Sequence, residues 1–184
     1  RRMMQSDHLI NMVGLSYLQP AYPQGALPKV TFDRSMQLHV NGQKIDLLHF
    51  TAAHTTGDAA VIFRGSNAVH MGDVYNTQYP FIDAGNGGSM DGMIAFCQAV
   101  LEQIDKTTLV IPGHGVVGSY QDLIDYVDML IEVRKRMLAM IDQGASLDEI
   151  MASGLTSDWD AVRGDSSLFV NRAYQSLTHR IVDR

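Results

Sequence analysis

The chain has little cysteine, no long apolar run and no excess of basic charge. Its only cysteine is Cys97 among 184 residues, so it can form neither an internal disulfide nor a thiolate metal cage, and cysteine usage leaves the redox compartment open. No uninterrupted apolar stretch approaches the roughly 18 to 20 residues of a membrane span, and Arg1-Arg2-Met3-Met4 is not followed by a signal-type apolar segment. Fourteen Lys and Arg face 20 Asp and Glu, a formal charge of −6. With no basic block, a nucleic-acid partner, which needs a positive face, is not expected. No internal repeat, low-complexity tract or Gly/Ser linker marks a boundary, so residues 1–184 read as one domain or part of one.

What is present is the composition of a core-former, 46% hydrophobic and 18% charged. The first dozen residues read as the tail of a helix, and Pro20, Pro23, Gly25 and Pro28 impose a loop over about 15 to 28. Met36, Leu38 and Val40, then Asn41-Gly42, then Ile45 and Leu47 predict a hairpin. A second pair of strands is expected at 59–63 and 68–71 around Gly65-Ser66-Asn67. Helical spacing follows over 89–104, a short strand over 108–111, and a long amphipathic helix over 119–143. Gly144 stops that helix, Ser146 with Glu149 caps a short one, and 166–182 reads as a last amphipathic helix. The expected class is α/β, strands first and helices after.

Three segments share one design, in which an apolar strand ends, a small residue turns the chain and a metal-binding side chain appears. They carry His54, Asp73 and His114. If the strands share a sheet with these ends at one edge, two imidazoles and a carboxylate converge, a donor set suited to zinc, iron or manganese. Asp58 reads first as a carboxylate that orients an imidazole, and as the alternative a turn residue bonding backbone N–H groups. His8, His39, His49, His70 and His179 read as ordinary sheet or surface histidines. Cys97 sits in an apolar stripe as a small core residue, and the Met137–Met140 pair reads as packing. Asp122, Asp125, Asp128 and Glu132 form the solvated side of the long helix, and Asp158-Trp159-Asp160 a local packing anchor.

His54-Thr55-Thr56-Gly57-Asp58, His70-Met71-Gly72-Asp73 and Ile111-Pro112-Gly113-His114-Gly115, in this order and spacing, resemble the metallo-β-lactamase superfamily. The resemblance implies an αββα sandwich of two sheets with helices outside and a one- or two-metal hydrolytic site at one edge. Members open that site with an HxHxDH motif, which does not occur in this sequence; Ser6-Asp7-His8 is the nearest string and is not equivalent. By resemblance, His54 completes one metal site, His114 the other, and Asp73 bridges them, with Asp73 and His114 as the catalytic candidates. The expectation is therefore only the C-terminal part of the sandwich, mostly one sheet with flanking helices.

The implied function is a zinc-dependent hydrolase whose metal-bound hydroxide attacks an ester, thioester, lactone or lactam of a small-molecule substrate, impaired in this chain because the first motif is missing. Several antibiotic-hydrolysing branches hold a cysteine or serine where Asp73 stands, so a dedicated β-lactamase is not favoured. The segment from Asp73 to Phe81, with Tyr75 and Asn76, would line a substrate pocket. A rival reading is a non-catalytic half-fold that pairs with itself, as a homodimer, or with a chain supplying the other sheet. An iron site for redox chemistry is a third. The family resemblance suggests a periplasmic or secreted location.

Overall fold

In the computed structural model, residues 3–12 and 15–178 are described. Strands β1 (His8–Met12) and β2 (Leu15–Gln19) form an antiparallel pair of their own. The remaining strands are β3 (Ser35–Val40), β4 (Gln43–Leu48), β5 (Ala60–Phe63), β6 (Ala68–His70), β7 (Leu109–Ile111) and β8 (Gly118–Ser119). They form one six-stranded sheet in sequential order, antiparallel throughout except for the parallel β6–β7 pair. A parallel pair needs a crossover, and α1 (Met90–Leu101) supplies it. The long α2 (Tyr120–Asp142) follows β8, then α3 (Leu147–Ala152), α4 (Ser157–Arg163) and α5 (Ser167–Thr178).

The local chemistry is explicit at the turns and caps. Asn41 and Gly42 both take positive φ, 51° and 73°, which fixes the β3–β4 hairpin with register Val40 opposite Gln43. Ser89 caps α1 by accepting from the Gly92 N–H, while Ser119 with Asp122 and Ser146 with Glu149 close capping boxes on α2 and α3. Asp122 therefore has a capping role as well as a place on the polar side of its helix. No helix among the described residues is long and apolar enough to cross a membrane.

Two expectations are corrected. The first dozen residues are not a helix tail, and 15–28 is not wholly loop: His8–Met12 pairs with Leu15–Gln19, Leu9 opposite Leu18 and Ile10 opposite Tyr17. An apolar run this short does not distinguish strand from helix by periodicity, and its pairing partner decides. The helix α4 also emerges where only a packing anchor is expected. That anchoring is real: Arg136 meets Asp158 at 2.7 Å and lies 5.1 Å from the Trp159 ring centroid, and the Tyr79 hydroxyl donates to Asp160 at 2.8 Å. The last helix is described to Thr178, and His179 lies outside the described residues.

The core lies between one face of the sheet and the helices. Ala60, Ile62, Val69 and Val110 from the strands meet Phe96, Cys97 and Val100 of α1, Leu123, Tyr126 and Leu130 of α2, and Phe169 and Ala173 of α5. Phe96 is wholly buried and edge-on to Phe50 at 5.2 Å. Cys97 is fully buried, and burial pushes its thiol well above the usual range. It behaves as a core residue, not a nucleophile.

Candidate metal centre

The three motif residues meet at one edge of the sheet. Strands β6 and β7 run parallel with His70 beside Ile111, so the chain leaves both at the same end. The Met71 N–H donates to the Ile111 carbonyl at 2.9 Å, and the Gly113 N–H to the Gly72 carbonyl at 2.8 Å. Asp73 sits in the tight turn Gly72–Val74 and His114 in the loop after β7. Glycine is obligatory at 113: a Cβ there would collide with Asp73 Oδ1 and stand 2.7 Å from the Gly72 carbonyl carbon. Asn76, buried, ties the two loops together. Its Oδ1 accepts from the His114 N–H at 2.9 Å and its Nδ2 donates to the Asp73 carbonyl at 3.2 Å.

His54 arrives from the loop after β4. Asp58 pins that loop, its Oδ2 accepting from the N–H groups of Ala53 (3.1 Å) and Thr55 (2.9 Å) and its Oδ1 from the Thr55 hydroxyl at 3.2 Å. Of the two readings of Asp58, the turn residue is the one seen. The imidazole is instead oriented by the Phe81 carbonyl, 2.7 Å from His54 Nδ1. A carbonyl can only accept, so Nδ1 carries a hydrogen and Nε2 is left facing Asp73. Behind Phe81, the Arg172 guanidinium lies 5.3 Å from the ring centroid; Arg172 is buried, and its Nε has no hydrogen-bond partner.

Asp73 divides its carboxylate between the two histidines. His54 Nε2 stands 3.5 Å from Asp73 Oδ2, and His114 Nε2 stands 3.3 Å from Asp73 Oδ1. These separations fit metal ligation. Two donors each about 2.0–2.1 Å from a tetrahedral zinc ion stand about 3.3–3.4 Å apart. A basic imidazole nitrogen facing a carboxylate oxygen also needs a proton or a cation between them. The side chains are 17% (His54), 39% (Asp73) and 79% (His114) exposed, so the site is held firmly on one side and opens on the other.

Among the described residues no group of three or more His, Cys, Asp and Glu side chains is arranged around a single ion. The geometry is that of two half-sites sharing one carboxylate. Sequence reasoning brings the three side chains to one edge but misses what orients them. The Phe81 contact is made by backbone and leaves no side-chain signal. Tyr75 and Asn76 do not line a pocket at the three side chains: Tyr75 is buried edge-on to Tyr126 at 5.1 Å, and the Asn76 amide is committed to the two loops. His70 is an exposed sheet histidine whose Nδ1 accepts from the Gly72 N–H at 3.1 Å, and His49 donates to the Asp58 carbonyl at 2.7 Å.

No family model matches the sequence, nor does any curated protein. Among solved structures, the chain is similar to the stereoselective inverting sec-alkylsulfatase Pisa1 from Pseudomonas sp., with TM-score 0.63 and 19% identity over 81% of this chain. It is also similar to a metallo-β-lactamase from Pontibacter korlensis (TM-score 0.48, 20% identity, 56% of this chain) and to the DIM-1 metallo-β-lactamase (0.48, 21%, 61%). The likeness is one of fold alone: a mixed α/β, metallo-β-lactamase-like layer, a six-stranded sheet with helices against it. The chain spans 26% of the sulfatase chain and 48% and 49% of the two lactamases.

Proposed function

We propose that this chain is the C-terminal part of a metal-dependent hydrolase in which His54, Asp73 and His114 hold one or two zinc ions. The observation that carries this reading is the pair of N···O separations, 3.5 and 3.3 Å, around a single carboxylate. Zinc, when bound, acidifies a coordinated water and polarises the attacked group. His54, its Nδ1–H tied to Phe81, presents Nε2 in a fixed direction; Asp73 joins the two halves; His114, the most open of the three, lies on the solvent side. Asn76 and Asp58 keep the loops in register and take no part in proton transfer.

Two donors per ion leave a tetrahedral shell unfilled, so we propose that further ligands come from chain outside these 184 residues, and that this segment alone hydrolyses poorly. Esters, thioesters, lactones and lactams are the substrate classes proposed, and the likeness to a sec-alkylsulfatase adds secondary sulfate esters to the panel. Zinc is the metal we propose, and iron and manganese suit the same N/O donor set. We place the whole protein in the periplasm or outside the cell.

The test is zinc uptake by the isolated chain, read by native mass spectrometry against calcium as a control. Zinc binds the unaltered protein; His54→Ala and His114→Ala each lose one half-site, and Asp73→Ala loses both. Removing a direct ligand weakens binding by more than the tenfold to hundredfold typical of supporting residues. Equal zinc uptake by the unaltered and triple-variant chains overturns the reading.

A second reading, a non-catalytic half-fold that pairs with a copy of itself or another chain, is favoured by one observation. The sheet face opposite the helices is apolar and only partly covered: Leu38 and Leu109 are 37% and 53% exposed.

A further inference from the structure

The acidic stripe of α2 is not simply a solvated face. Asp122, Asp125, Asp128 and Glu132 recur at spacings of three and four and so share one side of the helix. Helix α4 and the loop 116–118 stand opposite, enclosing a groove of about 740 Å³ that these acids line together with Tyr75, Met129 and Trp159. That volume is typical of a small-molecule site, about 300–1,000 Å³. None of His54, Asp73 and His114 lines it.

The charge in the groove is poorly balanced. Glu132 is paired with Lys135 and Arg136, but no ion pair among the described residues reaches Asp122, Asp125 or Asp128. Asp122 is engaged by Ser119 and Asp125 accepts from the Gln121 amide. The cation that lines the groove, Arg163, turns Nη1 toward the Asn76 and Thr77 carbonyls and stacks its guanidinium 5.3 Å from the Tyr126 ring centroid.

An independent observation comes from Tyr75. The residue is 2% exposed, and its hydroxyl, which makes no hydrogen bond to any described residue, is not among the atoms sealed from solvent and faces the groove that Tyr75 lines. A Cβ on Gly118 would stand 2.9 Å from that hydroxyl, and both residues line the groove. The absent side chain of Gly118 therefore leaves the hydroxyl open to whatever the groove holds. A phenol oxygen can accept a hydrogen bond as well as donate one, so the hydroxyl can serve as a neutral acceptor. Around it, Trp159 is half-buried and Val116, Val117 and Val162 are exposed by 74%, 56% and 83%.

We propose that this groove binds a small organic cation, a primary ammonium on an apolar body. The three N–H donors of the ammonium go to the unpaired carboxylates of Asp125 and Asp128 and to the Tyr75 oxygen, and the apolar body lies on Trp159 and Val162. This site is independent of the metal centre.

Trp159 is the sole tryptophan, so its fluorescence reports occupancy directly. The probe is 2-phenylethylammonium, with 2-phenylethanol as the neutral counterpart and 3-phenylpropanoate as the anion. The ammonium gives a saturable change that the alcohol and the carboxylate do not give over the same range, and 1 M salt weakens it. Asp128→Asn, on an exposed helix face where folding is insensitive, weakens binding about threefold to fivefold. Tyr75→Phe, which removes only the hydroxyl, weakens it about threefold. Equal binding of the alcohol, or unchanged affinity in both variants, overturns the proposal; so does a lysine-rich peptide that binds where the small ammonium does not.

Discussion

The two faces of the six-stranded sheet are built from similar residues and have different neighbours. On one face Ile62 is 2% exposed and Val69 and Val110 are fully buried beneath α1, α2 and α5. On the other, Met36, Ile45, Leu47, Val61, Phe63 and Ile111 are only partly covered, and Leu38 and Leu109 are exposed. Strands with apolar residues on both faces belong to sheets covered on both sides. An antiparallel sheet with one wet face normally alternates apolar and polar residues. Strands β5–β7 are apolar on both faces, whereas β3 and β4 alternate, with Gln37, His39, Lys44 and Asp46 on the helix-side face; the β5–β7 pattern suits two covers, and the described residues supply one of them.

The largest effect that tests this contrast falls on the covered side. Phe96 is wholly buried and edge-on to Phe50, at the centre of the helix–sheet contact. Phe96→Ala should destabilise by about 3–5 kcal/mol in urea unfolding, through lost burial and the cavity left behind. A cost below about 1 kcal/mol would mean that this core is as loosely covered as the opposite face.

A smaller effect comes from the charge on the covered face. Asp46 is buried, accepting from Arg64 Nε at 2.7 Å and from the Gln37 amide at 2.6 Å. The Arg64 hydrogen bond is the main cause that holds its pKa below the ordinary 3.8. A carboxylate whose folded pKa is depressed adds stability that is present above its unfolded value and is lost as pH falls through the folded one. Unfolding free energy should therefore decline as pH drops below 3.8, and Asp46→Asn should flatten that decline while costing about 1–3 kcal/mol at neutral pH. An unchanged acid profile in Asp46→Asn would assign the decline to other carboxylates.

Much of this architecture is legible in the sequence because the local signals are strong. Asn41-Gly42 names its hairpin, Ser146 and Glu149 name a helix start, and three strand-end motifs bring His54, Asp73 and His114 to one edge. What is not legible depends on partners distant in sequence. The β1–β2 pair has strands of five residues each, too short for periodicity to declare. Asp58 is ambiguous until its loop closes on Ala53 and Thr55. The tie from His54 to Phe81 spans 27 positions and ends on a carbonyl that every residue possesses. The acidic stripe of α2 reads as solvated surface because nothing in its own spacing reveals that α4 lies opposite.

The smallest effect makes the cleanest comparison, because one substitution can be placed on both faces. Val69, on β6, is fully buried on the covered face, and Val61, on the adjacent β5, is only partly buried on the open one. Threonine keeps the β-branched shape and strand preference of valine and changes a methyl to a hydroxyl. Val69→Thr places that hydroxyl in a dry core and should cost about 1–3 kcal/mol. Val61→Thr leaves it in reach of water and should change stability by less than about 0.5 kcal/mol. Urea unfolding of both variants at two protein concentrations reads the difference. If Val61→Thr proves as costly as Val69→Thr, and the cost grows with protein concentration, the open face is closed in solution by a second copy of the chain. A small, concentration-independent effect leaves that face free for a covering layer that these residues do not provide.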